Sequence, residues 1–126
     1  MTAAEIRARI ERDSTANRYV NTAHFAESAG VEPRQISRWL HTGTVWVPRP
    51  AVLLGRAAQP GWEPAAIVDW TPGLPGVDRP EPIRHLSTPE MAEKWHTSPQ
   101  QLWIDIGGEF VPAPDLWLGG RPGWRP

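Results

Sequence analysis

Cysteine is absent from the 126 residues, so neither a disulfide framework nor a thiolate metal site is available to the chain. Lysine is nearly absent: twelve of the 13 basic residues are arginine. Apolar runs extend for only a handful of residues, far short of the roughly 20 that a membrane helix needs. The opening stretch MTAAEIRARIER lacks the apolar segment of a secretory leader, and the expected localisation is cytoplasmic. The four histidines (His24, His41, His85 and His96) stand too far apart for a metal-ligand pair and read as scattered surface residues. There is no glycine-rich phosphate loop, no nucleophile–histidine–acid set and no pair of carboxylates that a fold would bring together. Asp105 and Glu109 merely flank a Gly107–Gly108 turn. The expectation is therefore a chain without catalysis, metal or cofactor.

What is present is unevenly placed. Bases number 13 and acids 14, so the chain has no overall basic excess. Residues 1–19 carry four arginines against three acids, while residues 86–126 carry three bases against five acids. Arginine suits phosphate and guanine contacts. A GC-rich genome would produce the same bias, together with the abundant proline, alanine and tryptophan.

A word is written twice: QPGWEP at 59–64 and RPGWRP at 121–126. Reading backwards, VPRPAVLLGRAAQPGWEP (47–64) lies over VPAPDLWLGGRPGWRP (111–126), with two residues lost before PGW. Earlier still, Thr22, Ala26, Glu27, Pro33, Gln35 and Ile36 correspond to Thr88, Ala92, Glu93, Pro99, Gln101 and Leu102. An ordered series of this length points to duplication. The expected organisation is an N-terminal helix over 1–19, a first module over 20–70, a Pro-rich linker over 71–85 and a second module over 86–126.

Within each copy the pattern predicts a short helix, a turn, a second helix and a strand pair. Thr22 and Thr88 are expected N-caps, Gly30 a break, and Gly43 a helix stop. The two prolines of VPRPAVLLG allow only an edge strand. Trp62 and Trp124 are expected to plug the small core. Pro64 opens a third short helix, AAIVDW, for which the second copy has no counterpart; apolar surface around Trp117 and Trp124 then awaits a cover from the linker, the N-terminal helix or another chain. Thr2 and Glu5 form a capping box that opens a helix whose Ile6 and Ile10 are expected to pack on the first module.

The stretches NTAHFAESAGVEPRQISRWL, VPRPAVLLG and PGWEPAAIVDW resemble the winged helix-turn-helix of the excisionase and AlpA-like family, related to MerR-type regulators. The resemblance implies a mainly α fold with small β-wings (α+β), built from two tandem winged helix-turn-helix modules, the second truncated. It implies double-stranded DNA as partner and a role as transcriptional regulator or as recombination-accessory or architectural factor, of a kind at home in phages, plasmids and actinobacteria.

On that pattern the second helix of copy one presents Arg34, Gln35, Ser37, Arg38 and His41 to the major groove, with Arg49 and the wing residue Arg56 near the backbone. In copy two the corresponding helix carries Gln100, Trp103, Ile104 and Gly107 in place of Arg34, Ser37, Arg38 and His41. Only Arg121 and Arg125 beside the second wing remain as phosphate candidates. An uncharged face showing Trp103 and Ile104 is expected to contact protein, either a second copy or another partner. The rival reading is a protein-binding module, a phage-encoded inhibitor or adaptor that has kept the fold and lost DNA affinity.

Overall fold

The computed structural model describes residues 1–76 and 79–126; Val77 and Asp78 of the expected linker lie outside the described residues. The fold is α+β. In chain order come α1 (Ala3–Asp13), β1 (Asn17–Tyr19), α2 (Thr22–Ala29), α3 (Pro33–Thr42), β2 (Val52–Leu54), β3 (Gln59–Gly61) and α4 (Pro64–Ile67). Then follow β4 (Ile83–His85), α5 (Thr88–Lys94), α6 (Pro99–Gly107), β5 (Leu116–Leu118) and β6 (Arg121–Gly123). The series β1–α2–α3–β2–β3 recurs as β4–α5–α6–β5–β6.

The caps follow local chemistry. Thr2 accepts from the Glu5 N–H at the start of α1, as its spacing predicts. For α2 and α5 the cap falls one residue earlier than expected: Asn21 and Ser87 are the N-caps, and Thr22 and Thr88 are the first helical residues. Each is the residue with extended backbone whose side chain faces the helix's free N–H groups. Gly30 and Gly43 end α2 and α3 in left-handed conformation, at φ +72° and +71°.

The repeats interlock through their strands. The hairpin β2–β3 takes its third strand, β4, from the lead segment of the second repeat; the hairpin β5–β6 takes β1 from the lead segment of the first. Both exchanges are parallel and in equivalent register: Asn17, Arg18 and Tyr19 oppose Leu116, Trp117 and Leu118, as Ile83, Arg84 and His85 oppose Val52, Leu53 and Leu54. The hairpins are thus the shared centre of one assembly. Three-residue strands in a lone hairpin are marginal, and the borrowed strand completes each sheet. Val52, Leu54, Leu116 and Leu118 form a single buried cluster, with Tyr19 and Ala51 at its margin.

This arrangement explains the doubled word. Trp62 and Trp124 are fully buried, and each donates its indole N–H to a proline carbonyl of its own repeat: Trp62 to Pro48 at 2.7 Å, Trp124 to Pro112 at 2.9 Å. The glycine before each tryptophan lets the repeats approach. A Cβ on Gly61 would lie 2.6 Å from Leu118 Cδ1, and one on Gly123 would lie 2.9 Å from Leu54 Cδ1. Pro60 and Pro122 occupy the edge strands β3 and β6, where no ladder N–H is lost. The prolines of 47–50 end before β2, so β2 is free to be the central strand, contrary to the edge position its prolines implied.

Two expectations about packing are overturned. Helix α1 packs on α6 of the second repeat, not on the first. Ile6 is buried there, its Cγ2 2.9 Å from where a Cβ of Gly107 would stand. Ile10 adjoins the second core of Met91, Leu102, Trp103, Ile106, Trp117 and Trp124. The helix thereby covers apolar surface of the second repeat, with Arg7 lying over the Trp103 and Trp117 rings. Trp103, expected at the surface, is only 6% exposed. It stacks at 15° on Trp117, with the Arg7 guanidinium 5.6 Å from its ring centre. A helix with neighbours on two sides buries a wider face than one packed against a single partner, and α6 has α1 as its second neighbour.

Candidate nucleic-acid interface

Helix α3 begins at Pro33, with Glu32 as N-cap and a reciprocal capping box. The Glu32 N–H donates to Gln35 Oε1 at 2.9 Å, so Gln35 is spent on holding the helix start. Ile36 is fully buried against Phe25, Trp62 and Trp70, which orients the opposite face outward. That face shows Arg34, Ser37, Arg38 and His41, all exposed. They recur at helical spacing and form one strip. The Ser37 hydroxyl donates back to the Pro33 carbonyl at 3.4 Å and leaves its oxygen as an outward acceptor.

The guanidiniums of Arg34 and Arg38 have no hydrogen-bond or ion-pair partner among the described residues. Most other arginines are engaged. Arg56 pairs with Glu93 of α5 at 2.7 Å, Arg49 donates to the Arg79 carbonyl at 3.0 Å, and Arg121 donates to Gln59 Oε1 at 3.0 Å. The structure brings Arg34, Ser37, Arg38 and His41 together on one strip; Arg49 lines a pocket with Trp39, Leu40 and Gly43 at the end of α3, while Arg56 and Arg121 line a cleft between the repeats. The hairpin tips carrying the last two are turned toward the other repeat: Ser87 Cβ lies 3.2 Å from where a Cβ of Gly55 would stand, and Asn21 Nδ2 lies 2.6 Å from that of Gly119.

The equivalent strip on α6 differs in kind. Leu102, Trp103 and Ile106 are buried, and Gln101 donates to Asp105 at 2.9 Å. Trp103 and Gly107 correspond to Ser37 and His41, and this is the side on which α1 lies. Of the matching positions on the second repeat only Trp103 is covered; Gln100, Ile104 and Gly107 stay exposed, without charge. Ile104 remains 43% exposed, as the sequence reading placed it, but without Trp103 beside it. Phe110 at 78% and Trp95 at 43% are the apolar surface that reading missed; they line a shallow cleft with Ile10 and Ile106. Phe110 follows the turn after α6, at the position of Trp46 in the first repeat, and that correspondence was the available signal.

No helix among the described residues is long and apolar enough to cross a membrane. No protein-family model, no curated protein and no solved structure matches the chain.

Proposed function

We propose that the chain binds double-stranded DNA through the outer face of α3, as a small regulator of transcription or an accessory factor of recombination. One observation carries this reading: Arg34 and Arg38 stand exposed on the second helix of a helix–turn–helix, with neither guanidinium engaged by the protein. Arginine offers paired donors to guanine O6 and N7, and a solvated pair one turn apart can meet the bases and phosphates of one groove. The hairpins add little to this contact, because their tips are held between the repeats. The second repeat serves as a scaffold, its matching helix face carrying no cation and losing Trp103 to the packing of α1.

The test is duplex binding across a salt series. With Arg34 and Arg38 as the main cations, log K should fall with log salt at a slope of about −2. Arg38→Ala should cost about 1–3 kcal/mol on a preferred site and relax preference at one base pair. Binding that is independent of salt, or unchanged by Arg38→Ala, would refute the assignment. A second reading, protein binding, is favoured by the exposed Trp95, Ile104 and Phe110 on the second repeat. Self-association or partner capture abolished by Phe110→Glu and Ile104→Lys would support it.

A further inference from the structure

The interlock creates the same cleft twice. Each lies between the hairpin tip of one repeat and the start of the first helix of the other. Gln59 and Arg121 are equivalent residues of β3 and β6; their 3.0 Å hydrogen bond joins the two halves, and both residues line both clefts. The two sites have diverged in charge. The cleft at Asn21 and Thr22, about 240 Å³, has Arg121 as its only cation among the lining residues. Its counterpart at Ser87 and Thr88, about 400 Å³, is lined by Arg7, Arg56 and Arg121, with no acid in its wall.

Each arginine arrives from a different element. Arg56 stands in the four-residue turn of the first hairpin, where the second has only Gly119–Gly120. Arg7 comes from α1, tethered by donation to the Gly120 carbonyl at 2.7 Å and packed over Trp103 and Trp117 at 5.6 and 5.7 Å. Their acidic partners, Glu11 and Glu93, are not among the lining residues, nor is Glu90, whose Oε1 sits behind the wall, bonded to the Ser87 hydroxyl and 3.6 Å from where a Cβ of Gly55 would stand. A guanidinium has five N–H donors, and the contacts here use one or two of them on each arginine. The Ser87 hydroxyl donates to Glu90, leaving the Thr88 hydroxyl as a further donor in the wall. The volume falls within the roughly 300–1,000 Å³ typical of small-molecule sites.

We propose that this cleft binds a phosphate group, presented by a nucleic-acid backbone or by a free phosphorylated molecule. Three arginines from separate elements line this one opening, whose lining residues include no carboxylate, and offer fork-shaped donors for a tetrahedral oxyanion. The proposal does not require the α3 reading, since its residues lie outside that strip.

The experiment uses the full chain and an Arg56→Gln, Arg121→Gln variant, both exposed positions, with folding verified by circular dichroism. Inorganic phosphate is titrated at low chloride and followed by phosphorus NMR; a random duplex is titrated in parallel across salt. Saturable phosphate binding, weakened about tenfold or more in the variant, supports the site and a free ligand. No phosphate binding, but a duplex salt slope reduced by about 1–2 in the variant, supports the site and a backbone phosphate. Equal behaviour of wild type and variant in both titrations overturns the proposal. Arg34→Gln, Arg38→Gln should leave phosphate binding intact, so failure of the α3 reading stays distinguishable from failure of this one.

Discussion

Leu54→Ala tests whether the two repeats are one cooperative body. Leu54 is 3% exposed and belongs to the cluster with Val52, Leu116 and Leu118, so its methyl groups pack against the other repeat. Removing them from a core whose neighbours are three-residue strands should cost about 2–5 kcal/mol, the usual range for a buried leucine. For a chain of this length each kcal/mol lowers Tm by about 3–6 °C, so the midpoint should fall by roughly 6–30 °C. Independent modules would give a different result: only the first would be weakened, and melting would split. Calorimetry reads the number of transitions directly. Amide exchange assigns them, because protected helices of both repeats should open with the same reduced free energy. Leu118→Ala, at the equivalent position and 2% exposed, should cost about the same within ~1 kcal/mol. Two transitions, or lost protection confined to α2 and α3, would refute the interlocked account.

Two further outcomes follow from single side chains. Trp62→Phe should cost about 2–4 kcal/mol, since it opens a void and strands the Pro48 carbonyl. Trp70→Phe should cost clearly less by denaturant unfolding, because the buried Trp70 indole N–H has no partner to lose among the described residues. Glu90 is held below its ordinary value near 4.5, chiefly by the Arg84 guanidinium donating at 2.9 Å and then by Ser87, against the opposing effect of burial. Its ionised form therefore stabilises the fold above about pH 4.5, and that contribution is lost as pH falls through the lowered value. Glu90→Gln should destabilise by about 1 kcal/mol at neutral pH through the weakened cap and the lost ion pair. The difference from wild type should shrink in acid; a constant difference across pH would contradict the pairing.

What the sequence determined by itself is local and repetitive. Helix starts at Pro33, Pro64 and Pro99, the glycine stops of α2 and α3, and the burial of Trp62 and Trp124 follow from residue chemistry within a few positions. The outward strip of Arg34, Ser37, Arg38 and His41 was legible because Ile36 sets the helix phase. The duplication was legible as well, though in the structure it starts at Asn17 and Ile83, five residues before the matched threonines, in strands too short to show a pattern. Tertiary structure alone decided how the copies combine. The choice between a strand pairing within its own repeat and one pairing with the other depends on long-range register, which no local propensity encodes. The same holds for α1: its Ile6 and Ile10 announce an apolar face, but either repeat offers a groove. Only the space beside Gly107, where no Cβ intrudes, and the Trp103–Trp117 stack awaiting a cover select the second. That choice buries Trp103 on one helix face and leaves the equivalent Ser37 on the other exposed. It also carries Arg7 to the cleft where Arg56 and Arg121 meet, 49 and 114 residues further along the chain.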